Sequence, residues 1–248
     1  ADLQYRGVWL RMEGPEDDNV PLDYSTDWHF FNPRAGMSFR WSERHRAFLS
    51  AAVGHREPGR ADIKENIKNA WLTDVPDVAL KPEKMLDVEF GYSFQSEKVG
   101  ASVNVYLMEY WDMLLETGKL SNVGYAIKEN VDRGWRRGLE LCASYEPLKW
   151  LRADANITLS SNKIRDYKEY VQNVDTYDNW AMTGRTTMYE YGNSTMLMSP
   201  SVTGMMKLTF IPWKKAAVSI DGKYVGMQYL DNTMTLSRSI PSYFVSNL

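Results

Sequence analysis

Between residues 84 and 94 the chain alternates strictly. Leu86, Val88, Phe90, Tyr92 and Phe94 fall on one side, and Asp87, Glu89, Gly91 and Ser93 on the other. Period two marks an extended strand, because successive side chains leave opposite faces of the pleat. The pattern recurs over residues 99–110, 137–145 and 151–160, and in shorter form over 37–41, 47–53, 202–210 and 216–225. Less complete runs occupy 3–11 and the stretch from Tyr243 onward, so about ten strands are expected.

The connections sort by length. Residues 42–45, 95–98, 146–149 and 211–215 are tight polar turns, whereas 12–28, 54–82, 111–134, 162–199 and 227–241 are long and polar. Short and long alternate along the chain, so every long one leaves the same end of the strands. Structureless loops beyond about 15 residues are uncommon in compact domains, and a two-layer sandwich has no reason to segregate them. A membrane does. In hydrocarbon every backbone group has to be paired, so strands close into a barrel and irregular chain stays outside the bilayer. Outer-membrane barrels carry short periplasmic turns, long extracellular loops and strands that are apolar outward and polar inward. We therefore expect an all-β, antiparallel up-and-down transmembrane β-barrel, present in part, with its nonpolar faces against lipid tails. Two alternatives on the same residues are a passive porin-like barrel and a soluble β-sandwich, such as a glycan-binding module using the 9 tryptophans.

Composition removes other classes. No run approaches the ~18 apolar residues of a membrane-spanning helix, and the mean hydropathy of -0.47 is ordinary for a barrel whose two faces cancel. One cysteine, Cys142, excludes an intramolecular disulfide framework, and His29, His45 and His55 are too few and scattered for a histidine metal centre. There is no GxSxG, no P-loop and no GxGxxG. No catalytic residue, cofactor or metal is assigned, and the chain is not read as an enzyme. Glu13, Glu16, Asp17 and Asp18 read as a solvated acidic loop more readily than as a Ca²⁺ site. His55 and Glu57 flank Arg56 without a third catalytic partner.

Arg133, Arg136 and Arg137 form a basic patch near a strand start. Nucleic acid suits a chain of net charge -3 poorly. The expectation is an inward-facing arginine paired with carboxylates, with a lumen site for an anionic ligand as the other option. Asp87, Glu89, Asn104, Glu140, Arg152, Asp154 and Asn156 share the polar face, with Cys142 as a small filler. Such a lining suits a water-filled pore or a plugged lumen equally. Residues 62–70 are expected to form a short helix capped by Asp62. Trp41, Phe48, Tyr145, Trp150 and Trp213 near the short turns, and Tyr106, Tyr110, Trp111, Tyr224 and Tyr229 toward the long loops, are expected to form two aromatic girdles.

Five segments carry a family resemblance. They are Phe31-Asn32-Pro33-Arg34-Ala35-Gly36, then Arg56-Glu57-Pro58-Gly59-Arg60-Ala61-Asp62, then Leu80-Lys81-Pro82-Glu83 followed by Glu89-Phe90-Gly91-Tyr92. Asn130 with Arg137-Gly138-Leu139-Glu140 is the fourth, and the run from Tyr224 to Thr233 (YVGMQYLDNT) is the fifth. In this order they resemble TonB-dependent outer-membrane receptors, particularly those of the Bacteroides group. The resemblance implies a 22-stranded barrel, of which residues 1–248 supply the C-terminal portion, about ten strands. It implies active import of a scarce ligand, an iron-siderophore or similar chelate, in the Gram-negative outer membrane. The partners it implies are outer-membrane lipid, the small-molecule ligand and a TonB complex reached through a plug domain that this sequence does not contain. The chain opens and stops on strand alternation, so a piece of a longer protein is expected. Arg56, Arg60, Asp62 and Trp71 in one loop, and Tyr229 and Asp231 in another, are the candidate ligand-binding residues.

Overall fold

A computed structural model describes residues 1–15, 19–73, 79–120, 125–175, 181–213 and 215–248, with the side chains of 71–73, 174, 175 and 181–185 outside the description. The strands are β1 (Asp2–Pro15), β2 (Pro21–Arg40), β3 (His45–Arg56), β4 (Glu83–Gln95), β5 (Val99–Leu120), β6 (Ala126–Leu148), β7 (Leu151–Ile164), β8 (Tyr167–Asp175), β9 (Ala181–Tyr191), β10 (Ser194–Thr195), β11 (Val202–Trp213), β12 (Ala216–Val225), β13 (Gln228–Tyr229), β14 (Ser239–Ile240) and β15 (Tyr243–Asn247); one helix, α1, spans Arg60–Thr73. The main sheet has 11 strands in the order β1-β2-β3-β4-β5-β6-β7-β11-β12-β15, with β10 added to β7. Every pairing in it is antiparallel. The barrel arc is not closed, because β1 and β15 end the order on opposite edges.

Register explains the alternation. A single row crosses β2, β3, β4, β5, β6, β7, β11, β12 and β15: Phe39, Ala47, Tyr92, Val103, Leu141, Ile157, Gly204, Tyr224 and Phe244. A second row above it reads Leu49, Phe90, Val105, Leu139, Leu159 and Val202. Among these, Phe39, Leu49, Phe90, Val105, Leu141, Ile157, Leu159, Tyr224 and Phe244 are exposed. Water would not tolerate so large a contiguous apolar wall on a monomer. The opposite face carries Ser144, Asp154, Lys207, Asp221 and Asn247 in one row, with Asn247 Nδ2 donating to Asp221 Oδ2 at 3.0 Å. Of the described residues, no second large sheet covers the apolar wall, so the sandwich alternative fails.

Two glycines on the inner face have a packing reason. The Phe48 ring lies where a side chain at Gly91 would stand, and the Tyr106 ring lies over Gly138 in the same way. Each lets one strand's aromatic side chain lie flat on its neighbour.

The long connections contain more structure than expected. Residues 12–28 and 111–134 are mostly strand, because β1, β2, β5 and β6 continue past the apolar rows as tall paired ribbons. The period-two signal fades there because the ribbons meet water in places and a local core in others, as at Met113 and Val131, while backbone pairing persists. Residues 162–199 hold the separate β8–β9 hairpin, and 227–241 hold the β13–β14 pair. The helix runs Arg60–Thr73, longer than the expected 62–70 at both ends. Asp62 lies inside its first turn and does not cap it; Ile63 N donates to the Gly59 carbonyl at 3.1 Å. The short turns stand as expected: β2–β3, β4–β5, β6–β7 and β11–β12 are joined by two to four residues.

The girdle expectation is corrected at both ends: Phe48 at the turn end, and Tyr106 and Tyr110 toward the tall end, do not belong to it. Trp41 stacks on His45 and on Tyr92, at 5.6 and 5.8 Å between ring centroids, and Trp150 stacks on Phe210 at 6.4 Å. Phe48, Tyr106 and Tyr110 face inward. The register puts Phe48 and Tyr106 over the two glycines, and Tyr110 packs on a buried cluster.

That cluster is the one conventional core among the described residues. It comprises Met113, Val131, Ile164, Tyr167 and Met196. It lies above the apolar rows, between the tall β5–β6 ribbon, the end of β7 and the β8–β9 hairpin.

Candidate ligand site at the tall end

Four sequence segments meet above the apolar rows, and each is tied down by its own side chains. Glu57 accepts two bonds from Arg6, from Nη1 at 3.0 Å and Nη2 at 2.6 Å, and the same Arg6 Nη2 donates to the His55 carbonyl at 3.1 Å. A bidentate guanidinium–carboxylate pair fixes direction as well as distance, so the end of β3 is held to β1 across β2. Arg56 pairs with Glu83, its register partner on β4. Glu83 Oε1 also accepts the Leu114 amide at 2.7 Å.

Asn130 is the central clamp. Its Oδ1 accepts the Lys81 amide at 2.8 Å, and its Nδ2 donates to the Lys81 carbonyl at 2.9 Å and the Asp112 carbonyl at 2.7 Å. Asp112 has φ 52, a left-handed conformation in mid-strand, which is sparsely populated for a residue with a side chain. The clamp holds that kink and the segment preceding β4 together.

Helix α1 docks on β6 through Asp62, which pairs with Lys128 at 3.1 Å, and Asn66, whose Nδ2 donates to the Lys128 carbonyl at 3.3 Å. On the other side of the tall end, Asp231 Oδ1 accepts the Thr233 amide at 2.9 Å and its hydroxyl at 2.6 Å, while Oδ2 pairs with Arg238 at 2.8 Å. Buried Asn232 accepts the Leu197 amide at 2.8 Å. Arg238 reaches Glu169 at 3.2 Å, and Tyr191 donates to the other oxygen of Glu169 at 2.9 Å. Tyr167 donates to the Glu116 carbonyl at 3.0 Å; burial pushes its hydroxyl up to about 12. Burial, then the Glu169 carboxylate, pushes Tyr191 up as well.

The Asn130–Lys81–Asp112 clamp and Asn66 border a cavity of about 500 Å³ between α1, the 79–81 segment, the β5–β6 ribbon and β8. Its polar lining includes Asn69, Thr117, Lys119, Glu129, Lys168 and Tyr170. Lys119 pairs with Glu129 and lies 4.2 Å from the Tyr170 ring centroid. Both signs of charge line it, so it suits a polar ligand of mixed charge rather than a bare ion. No group of three or more His, Cys, Asp or Glu among the described residues could hold a metal.

The candidate residues divide. Arg56, Asp62 and Asp231 are engaged in internal ion pairs. Arg60 is exposed at the start of α1. Tyr229 uses its carbonyl to accept the Met198 amide at 2.8 Å. The Trp71 side chain lies outside the described residues, as do Glu16, Asp17 and Asp18. Lys119, Glu129, Lys168 and Tyr170 were missed by sequence reasoning because they lie in stretches read as plain loop. His55, Arg56 and Glu57 are bonded to Asn32, Glu83 and Arg6 respectively, so they do not act on one another.

A sheet with its apolar face outward, a polar inner face and a braced superstructure on one end defines a membrane β-barrel of the receptor type. Residues 8–248 match the family described as TonB dependent receptor-like, beta-barrel, and the chain belongs to that family. Solved structures agree in fold. The copper transporter OprC superposes with a TM-score of 0.72 at 13% identity, over 98% of this chain and 34% of that one. The FrpB iron transporter from Neisseria meningitidis gives 0.61 at 15%, over 98% and 34%. The siderophore receptor PiuA from Acinetobacter baumannii gives 0.62 at 15%, over 90% and 30%. The chain thus spans about a third of these structures' length. No curated protein matches the sequence.

Proposed function

We propose that this chain is the C-terminal barrel portion of an outer-membrane receptor that captures a scarce small-molecule ligand, an iron chelate or similar complex, and imports it with energy delivered by TonB through a plug domain. The tall end faces outward from the cell, and the turn end faces the periplasm. The observation that carries this reading is the braced cavity above the apolar rows. A passive pore has no need of a rigid, cored superstructure there, whereas capture of a dilute ligand gains affinity from a site ordered in advance. Two of the structures similar in fold, FrpB and PiuA, are named for iron transport and siderophore reception. Within the cavity, Lys119, Glu129, Lys168 and Tyr170 are assigned to ligand contact; Arg60, Tyr229 and Trp71 are assigned to first contact on the loops outside it, and Arg56, Asp62 and Asp231 to holding those loops.

The test uses the full-length gene. A deletion strain is grown with ferric siderophores as sole iron sources, with and without a functional TonB. Growth lost on one chelate, and lost equally without TonB, supports the proposal. Unchanged growth on every chelate, together with TonB-independent uptake of small solutes by the purified protein in liposomes, overturns it in favour of a passive pore.

A further inference from the structure

The basic trio of the sequence divides across the sheet. Arg136 faces inward and donates to Ser199 Oγ at 3.4 Å. Arg137 pairs with Glu109, as a carboxylate pairing was expected to do, but it does so on the outer wall. The register shows what surrounds it. One outward row reads Lys84, Trp111, Arg133; the next reads Leu86, Glu109, Trp135, Lys163; the next reads Val88, Leu107, Arg137, Ser161. Directly beneath runs the apolar row of Leu49, Phe90, Val105, Leu139 and Leu159.

Four cations and one carboxylate therefore share a patch on β4–β7, framed by two tryptophans. Lys84 Nζ lies 5.5 Å from the Trp111 ring, and Arg137 lies 5.1 Å from the Trp135 ring. Lys84, Arg133 and Arg137 are exposed. Lys163 donates to Thr195 Oγ1 at 2.7 Å, and an ammonium has two further donors. A chain with formal net charge -3 has concentrated positive charge on its lipid-facing side.

Position selects the occupant. From Val99 to Leu107, β5 rises about 27 Å at ~3.4 Å per residue, or about 20 Å along the membrane normal after a tilt of ~40°. The patch begins where that belt ends, at headgroup depth on the long-connection side. Tryptophan favours this boundary because its ring is apolar and its N–H is polar. Arginine and lysine there meet phosphate oxygens as bidentate and point-charge donors.

We propose that this patch seats the phosphate-bearing headgroup of an anionic lipid in the leaflet on the long-connection side, with Lys84, Arg133 and Lys163 supplying the charge and Trp111 and Trp135 flanking the glycerol or sugar. The proposal rests on the membrane-barrel reading of the outer wall.

The experiment places the full-length receptor in phosphatidylcholine nanodiscs doped with phosphatidylglycerol or with diphosphoryl lipid A. Retained lipid is counted by native mass spectrometry after detergent extraction. Both anionic lipids are expected to stay bound over phosphatidylcholine, and inorganic phosphate is not expected to displace them. In the Lys84→Gln, Arg133→Gln, Lys163→Gln triple variant, retention is expected to fall about a hundredfold, from roughly fivefold per cation near a charged surface. The Lys84→Arg, Arg133→Lys, Lys163→Arg triple variant and an inner-face Arg152→Gln, Lys207→Gln control are expected to retain lipid as the parent does. Equal retention by the neutral triple variant, equal retention of phosphatidylcholine, or displacement by phosphate overturns the proposal. Should the neutral variant not fold, salt titration of the parent decides: loss of anionic lipid with rising salt supports the seat, and salt-independent retention overturns it. A protein that inserts without lipid preference sinks this seat alone; one that fails to insert sinks the barrel reading.

Discussion

The two halves of the molecule solve the burial problem in opposite ways. In the belt, Leu141, Ile157 and Leu159 point outward and are exposed, on the face that a transmembrane barrel turns to the membrane; the interior-facing side is polar. At the tall end, Ile164 and Tyr167 are buried among protein atoms in the manner of a soluble domain. Backbone pairing runs unbroken from one regime to the other along β5, β6 and β7. The strands are thus set by hydrogen bonding throughout, while the solvent on each face decides which side chains are allowed. The difference teaches that the tall end is a small water-soluble structure grown on a membrane scaffold, and it should respond to mutation like one.

Truncation should separate the halves most. Ile164→Ala removes a fully buried side chain and leaves a cavity, with an expected loss of about 2–5 kcal/mol for local opening of the tall end. Leu141→Ala leaves no cavity, because lipid tails flow into the space, and is expected to cost about 1 kcal/mol or less beyond transfer of the missing methylenes. Hydrogen exchange of the β5–β6 ribbon and urea unfolding of the full-length protein in bilayers measure the two. Equal losses at both positions would abolish the distinction. A charge should close that gap: Leu141→Arg, near mid-belt, is expected to cost about 2–4 kcal/mol, read as loss of heat-modifiable mobility after folding into liposomes.

Tyr167 supplies a pH dependence with a definite sign. Its folded value near 12 exceeds the ordinary 10 because of burial. Below pH 10 the hydroxyl is neutral in both states and contributes no slope. Between pH 10 and 12 the unfolded tyrosine releases its proton first, so the folded state binds more protons and its stability falls as pH rises. The expected loss reaches about 2–3 kcal/mol at the top of that window. Tyr167→Phe should flatten that part of the curve and cost about 1 kcal/mol at neutral pH for the lost bond to the Glu116 carbonyl. An unchanged alkaline slope in the variant would assign it elsewhere.

The belt was legible in the sequence because hydrocarbon on one face and polar lining on the other force a strict period of two, as in residues 99–107 and 151–159. The ten main strands and the tight turns follow from that alone. The tall end was not legible in the same way. Residues 113–120 and 126–132 pair as strands without a clean period, since Met113 and Val131 face a local core while Glu116 faces water and Lys128 faces α1. The motif residues were legible as a family pattern, and their positions as braces were not. Arg56, Glu83 and Asn130 are far apart in sequence and meet only because β3, β4, β5 and β6 rise side by side. Spacing can reveal a loop's composition, but the partner of a brace is set by register one or two strands away.

The smallest effect probes the outermost joint of that superstructure. Lys128→Gln removes the charge that faces Asp62 at 3.1 Å while leaving the Lys128 carbonyl, which Asn66 also uses, in place. The pair is partly exposed, at 34% and 21% of the side chains, so solvent screening limits its worth to about 0–1 kcal/mol. Global stability should not register the change. Hydrogen exchange of α1 should, because the pair ties the helix to β6 and a loss of even 0.5 kcal/mol about doubles its opening constant. Adding 0.5 M salt to the parent should reproduce most of that increase, since screening acts on the ion pair and not on the Asn66 bond. Faster exchange in the variant that salt fails to mimic would mean that packing, and not charge, holds the helix over the cavity.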